Sequence, residues 1–261
     1  MKKNLPRRVE VAIIGGSGLE SLLPRSSPKI LVETPYGSPP PISIWKIDGR
    51  SVAFLPRHGY RHELLPHRIN YRANIYGLYK IGARWIIATN SVGAINLKFK
   101  VGDLIVPHDL IDFTKQRPLT FLEGSTEAHI DFTEPYCNDL RRAIIDSAKK
   151  SGIPIHEYGV YACMEGPRYE TAAEVKMLKH LGCDVVGMTG MPEAILAREL
   201  KMCYASICYV SNMAAGIGES INHQMVVEAA SSVMPRLKNL LIETILHLYE
   251  SGLSSMTAGE K

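Results

Sequence analysis

The sequence predicts an α/β fold: a single domain with a mixed central β-sheet flanked by helices. Three observations carry that prediction. Short apolar runs alternate with stretches of helical period along the 261 residues. No internal repeat or long linker divides them. Hydrophobic residues make up 46% of the chain and charged residues 21%, ample for one sizeable core. The domain is expected over 9–250, after an N-terminal extension (1–8) and before a small, polar tail, "SGLSSMTAGEK" (251–261), that should fray.

The elements follow in order. "VEVAIIGGSGLE" (9–20) is an apolar run that enters a glycine turn and leaves into a helix. "TPYGSPPPIS" (34–43) is a proline-rich loop before a strand. "SVAFLPRHG" and "ARWIIATNSVGAIN" are strands that end in polar, glycine-containing loops, and "VGDLIVPHDLIDF" is expected to be one further buried strand. "NDLRRAIIDSAKKSG" has the apolar spacing of a helix and a glycine stop. "TAAEVKMLKHLGC" repeats that pattern before the strand "DVVGM", and the helix "MPEAILARELKM" precedes the strand "CYASICYVSN". A last helix runs from about Asn222 to Glu250, with Pro235 as a kink.

Composition excludes several classes of function. The net charge of +4, with no basic run or RNA-type aromatic motif, argues against nucleic acid as the partner. The apolar run behind the basic "MKKNLPRR" is too short and interrupted for a signal peptide. No apolar run approaches the roughly 20 residues that span a bilayer, so no membrane partner is expected. Cys137, Cys163, Cys183, Cys203 and Cys208 show no metal-ligand spacing; buried thiols are the default, and no metal site is expected. Whether Cys203 and Cys208 pair stays open. A reduced, cytoplasmic enzyme fits these features.

Five polar clusters each follow an apolar run directly: "GGSG", "PRHG", "TNSVG", "GMTG" and "VSN". In open α/β sheets, ligands bind beyond the carboxyl ends of strands, so these clusters should meet on one rim. The glycine loop breaks the dinucleotide pattern and lacks the Gly-Lys-Ser/Thr of a nucleotide-triphosphate loop. It remains a turn, either purely structural or holding a small oxyanion through Ser17 and backbone N–H groups. Arg57 and His58 at a second strand end would clamp a phosphate, although a solvated charge cluster is the commoner fate of such a pair. Asn90, Ser91 and Thr189 add amide and hydroxyl donors from two further strand ends. Together they describe an inorganic phosphate site.

The chain resembles the trimeric purine nucleoside phosphorylase and methylthioadenosine phosphorylase family over nearly its whole length. The resemblance rests on "IIGGSGLE", "PRHG", "INYRANIYGL", "HIDFTEPYC", "EGPRYETAAE", "GMTGMPEAILARE" and "CYVSNMAAG", in the family's order and spacing. It implies phosphorolysis: phosphate attacks C1′ of a purine nucleoside, releasing the base and a ribose 1-phosphate. By the same resemblance, phosphate falls to Ser17, Arg57, His58, Asn90 or Ser91, and Thr189, while Met188 meets the ribose. Phosphate is a co-substrate and no cofactor is implied. Such a transition state needs a closely held anion and hydrogen bonds to the leaving base rather than a metal or a covalent nucleophile.

Three positions speak to the substrate. Where methylthioadenosine-selective members carry Asp-x-Asp, this chain reads Asn212-Met213-Ala214. Asn212 can donate to O6 and accept from N7–H of a 6-oxopurine, although a flipped amide serves adenine. Glu170, next to Tyr169 in the base-binding segment, aligns with a glutamate of inosine/guanosine phosphorylases. An ionised carboxylate only accepts, so it matches N1–H of hypoxanthine or guanine and faces a lone pair of adenine. That mismatch costs about 1–3 kcal/mol. A carboxylate at a helix start also compensates the dipole, which is its plainer role. His223 matches a residue that meets the ribose 5′-hydroxyl, and His129 one that reaches the 5′ end from a neighbouring subunit. The resemblance therefore implies a homotrimer or homohexamer acting on inosine, guanosine or methylthioinosine, with Asn212 and Glu170 as catalytic base readers. The alternative is a methylthioadenosine phosphorylase; a nucleosidase or a non-catalytic nucleoside-binding protein is further off.

Overall fold

Strand β1 (Val11–Gly15) is buried at every position and lies between two parallel neighbours, β4 (Arg50–Pro56) and β5 (Trp85–Ala94). A strand covered on both faces has no need to alternate with polar residues, which explains the unbroken apolar runs. The computed structural model describes residues 9–16, 19, 27–125, 129–218 and 223–252. Ser17, the N-terminal extension and most of the C-terminal tail lie outside the described residues.

One ten-stranded mixed sheet organises the chain. Beyond β4 it continues antiparallel into β3 (Ile42–Ile47) and β2 (Lys29–Ile30). On the other side lie β9 (Val185–Gly187), β8 (Val160–Met164) and β7 (Asp109–Phe113), parallel to one another. β10 (Cys203–Met213) runs parallel along the whole of β5 and pairs antiparallel with β6 (Leu104–Ile105).

Side-chain alternation divides the core in two. Ala12, Ile14, Ala53, Leu55, Ile86 and Ala88 face α1 (Tyr71–Lys80) and α4 (Glu193–Glu199). Val11, Ile13, Val52, Phe54 and Ile87 face α2 (Asn138–Lys150) and the long α5 (His223–Glu250), with Pro235 in its interior. α3 (Ala172–His180) packs Val175 and Leu178 on Val186. Among the described residues, no helix is long and apolar enough to cross a membrane.

Two expectations need correction, and one helix is added. "VGDLIVPHDLIDF" forms two strands, because Pro107 between them has no N–H to give a ladder. The segment "YRANIYGLYK" is a helix, α1, capped by the Asn70 side chain on the Ala73 N–H. Its buried face carries Asn74 and Gly77 among the apolar residues, so it lacks a clean aliphatic stripe. Cys137 and Cys203 form a disulfide with Cα atoms 5.2 Å apart, brought together by Cys137 N–H donating to Tyr204 O. Cys163, Cys183 and Cys208 are buried free thiols as expected, but the cysteines no longer argue for a reducing compartment.

Candidate active site

β5 exchanges one neighbour for another along a single edge. Its first half pairs with β1, running parallel, and its end pairs with β9, running antiparallel. The carboxyl ends of β1 and β9 therefore approach each other head-on, over Thr89–Ser91. The polar clusters meet at this seam inside the sheet rather than along one outer rim. A cavity of about 350 Å³ opens there, lined among others by Gly16, Arg57, His58, Ser91, Thr189 and Asn212. A larger surface depression of about 460 Å³ beside α2 is a poorer candidate. Its buried Arg141 is spent on the carbonyls of Pro107 and Glu157.

Arg57 is buried, and its partner was not foreseen. Glu193, at the first turn of α4, accepts from Arg57 Nε at 2.5 Å and Nη2 at 2.9 Å, and from the Tyr204 hydroxyl at 2.9 Å. Arg57 Nη1 donates to Thr89 O. Burial opposes the guanidinium charge, but the Glu193 carboxylate outweighs it and holds Arg57 protonated. Arg57 is thus a neutralised, oriented donor rather than a free positive clamp. Of its five N–H groups, two remain for a ligand.

Asn90 also differs from the expectation. Its amide donates to Thr189 Oγ1 at 2.7 Å and accepts from Ser206 Oγ at 2.7 Å, and it does not line the cavity. The Thr189 oxygen is thereby occupied as an acceptor, and its hydroxyl hydrogen is left to point elsewhere. Backbone N–H groups of Thr189 and Gly190 donate to the Tyr161 hydroxyl. A Cβ on Gly187 would sit 2.5 Å from that hydroxyl, and one on Gly190 would sit 2.9 Å from the Tyr161 ring, so a larger residue at either position would displace Tyr161. Ser91 lines the cavity directly, half-buried.

His58 Nδ1 faces Leu64 O at 2.7 Å. A carbonyl only accepts, so Nδ1 carries the proton and Nε2 is the bare nitrogen. Burial, reinforced by the Arg57 charge, pushes the His58 pKa down to about 4, which keeps the ring neutral.

On the nucleoside side, a β-bulge in β10 sets the geometry: the register slips between Val210 and Asn212, so consecutive residues Ser211 and Asn212 both reach the cavity. The Asn212 amide is held at both ends. Oδ1 accepts from Ser211 Oγ at 2.7 Å, and Nδ2 donates to Met213 O at 2.9 Å. A flipped amide would set two acceptor oxygens against each other at Met213, so the orientation is fixed. One amide hydrogen and one lone pair remain.

Glu170 is buried and lines the same cavity, and its Oε1 has no hydrogen-bond partner. Burial pushes its carboxyl above the ordinary range; nearby Glu174 adds to this, while its own N–H and Arg168 oppose it. Tyr169 and Met188 line the cavity too, with Val226 of α5. Met213 and Ala214 do not: Met213 contributes its carbonyl to Asn212, and Ala214 is buried in the core around α3. His129 is exposed and does not line this chain's own cavity. His223 begins α5, but its side chain lies outside the described residues. Among the described residues, no cluster of three or more metal-ligating side chains occurs.

The model of the Phosphorylase superfamily matches residues 10–246. A probable 6-oxopurine nucleoside phosphorylase of Thermococcus kodakarensis is 47% identical, covering 91% of this chain and 92% of that protein. A probable S-methyl-5′-thioinosine phosphorylase of Methanothermobacter thermautotrophicus is 49% identical, over 90% of this chain and 81% of that protein. Methylthioadenosine phosphorylase from Schistosoma mansoni, solved in complex with adenine, superposes with a TM-score of 0.88 at 29% identity, covering 93% of each chain.

Proposed function

The chain belongs to the Phosphorylase superfamily, and on that premise we propose that it is a purine nucleoside phosphorylase selective for 6-oxopurine nucleosides. The observation that carries the base preference is the buried Glu170 carboxylate with its unpartnered oxygen. Hypoxanthine and guanine carry an N1–H donor that would satisfy it; adenine offers a lone pair there. The fixed Asn212 amide points the same way. Its free hydrogen suits O6, and its free lone pair suits N7–H, whereas the amino group of adenine would meet a donor.

Hydrogen phosphate attacks C1′ as the bond to N9 breaks. The proton that hydrogen phosphate loses is matched by one gained at a ring nitrogen of the departing base, giving a ribose 1-phosphate dianion and a neutral purine. Thr189, Ser91 and the spare N–H groups of Arg57 hold the anion, joined by Ser17 on the resemblance alone. Neutral His58 presents Nε2 to the P–OH group. Negative charge grows on the purine during departure; the free Asn212 N–H stabilises it at O6, and Asn212 Oδ1 accepts from N7–H as N7 takes a proton, interactions strongest in the transition state. Each part is made of protein and co-substrate groups, with no cofactor.

The 5′ end favours a second substrate. Val226 lines the cavity one helical turn after His223, so an apolar methylthio group fits that wall as well as a hydroxyl fits a histidine. Methylthioinosine is therefore included with inosine and guanosine. The exposed His129 is assigned to a neighbouring copy's 5′ subsite, in a homotrimer or homohexamer of a cytoplasmic enzyme.

The test is base release from inosine and from methylthioadenosine, each with and without phosphate. Phosphate-dependent hypoxanthine release, with much slower adenine release, is expected. Faster adenine release would transfer the assignment to methylthioadenosine, and release without phosphate would make the enzyme a nucleosidase.

A further inference from the structure

Arg117 lies in an unremarkable polar loop of the sequence, yet it is only 7% exposed and its guanidinium joins three separate segments. Nη1 donates towards Met191 O at 2.6 Å, Met188 O at 2.7 Å and the Tyr71 hydroxyl at 3.0 Å. Nη2 donates to Glu165 O at 2.7 Å, with Met164 O at 3.4 Å. The Glu165 carboxylate stands 3.6 Å from Nε, which has no hydrogen bond of its own.

These acceptors belong to the walls of the cavity. Met188 lines it directly. Glu165 leads into Pro167, Tyr169 and Glu170, which line it as well. Tyr71 passes the contact on, donating from its hydroxyl to the carbonyl of Pro66, another wall residue. The walls also touch each other: Gly166, at φ +67°, has the Met188 sulfur 2.7 Å from where a Cβ would be. A planar fork of five donors can hold such divergent carbonyls at once, and a lysine cannot.

We infer that Arg117 is the positioning residue of the nucleoside half of the site, fixing the sugar wall at Met188 against the base-reading loop that carries Glu170. The inference rests on the nucleoside phosphorylase reading. None of the side chains assigned to the anion bonds to Arg117, and only Thr189 lies in a turn that it holds, between Met188 and Met191, so its effect falls mainly on the nucleoside.

The experiment compares the parent with Arg117→Gln and Arg117→Lys, measuring KM for inosine, KM for phosphate, kcat and thermal unfolding. In Arg117→Gln the inosine KM should rise about tenfold or more, because small displacements of bound groups are costly. The phosphate KM should rise severalfold less than the inosine KM, and Arg117→Lys should recover only part of the loss. Tyr71→Phe removes only the hydroxyl between Arg117 and Pro66; it should show the same split in smaller measure, and decides the matter if Arg117→Gln does not fold. Equal rises in both KM values, or parental kinetics in a folded variant, overturn the inference. A parent without phosphate-dependent base release would instead refute the phosphorylase reading.

Discussion

Glu170 serves a 6-oxopurine best while ionised, and burial has raised the pH at which it takes a proton. As pH falls through that raised pKa, the carboxyl becomes a weaker, neutral acceptor from N1–H, so kcat/KM for inosine should fall. The protonated form donates instead, which suits N1 of adenine, and the preference for inosine over adenosine should narrow. Glu170→Gln has no such titration; pH–rate profiles on both nucleosides should be flatter for that variant. A profile identical to the parent's would remove Glu170 from base selection. Arg57 gives a different kind of prediction. Arg57→Ala strands Glu193, a fully buried carboxylate, and should cost about 3–5 kcal/mol of stability in denaturant unfolding, besides weakening phosphate use. Replacing both partners, as Arg57→Met with Glu193→Leu, should return most of the stability and none of the phosphate affinity. Neither outcome was visible in "LPRHGYRH", because the carboxylate lies 136 residues along the chain.

α3 shows how an element holds a residue in place. Thr171 caps it, accepting from the Glu174 N–H while the Glu174 carboxylate accepts from the Thr171 N–H, so the helix starts directly after Glu170. Thr171→Ala should cost about 1 kcal/mol. It should also raise the inosine KM with little change for phosphate, as steady-state kinetics would show; a stability loss with unchanged kinetics would separate the cap from the site. Glu174 is held down to about 2, first by Arg168 and then by the Thr171 backbone. This support is present above the ordinary carboxylate pKa and disappears as pH falls through about 2. Elements of this sort were legible: the strands at 50–56 and 85–94 and the helices at 138–150, 172–180 and 193–199 follow the apolar spacing closely. Fully buried strands announce themselves, and glycine stops mark the ends of the helices at 138–150 and 172–180. α1 was hidden by its mixed buried face, and the direction of β9 by the lack of any local signal for strand polarity. The candidate site residues can be named from the sequence, whereas their second partners Glu193, Ser206 and Tyr161 come from pairings that exist only after folding.

At the scale of the whole molecule, the Cys137–Cys203 disulfide ties the start of α2 to the start of β10 across 66 residues. Closing a loop of that length stabilises by about 4 kcal/mol on the chain-entropy model. The Cys137→Ser, Cys203→Ser pair of substitutions should lower the unfolding midpoint accordingly, while leaving inosine kinetics at ordinary temperature near parental values, since neither cysteine lines the cavity. A loss of activity without a loss of stability would show that the bridge reaches the site. The head-on meeting of β1 and β9 along one edge of β5 has a consequence for how such an enzyme can diverge. Most of the residues assigned to the anion, Gly16, Arg57, His58 and Ser91, come from the stretch 16–91, and those assigned to the base, Glu170 and Asn212, from 170–212. Thr189 is the exception, and its setting is fixed from behind by Asn90 and Tyr161. A lineage can therefore change its preferred purine through mutations in one stretch of its gene without disturbing phosphate capture in another. Relatives bearing 6-oxopurine, methylthioinosine and methylthioadenosine names at 42–49% identity are what that separation would produce.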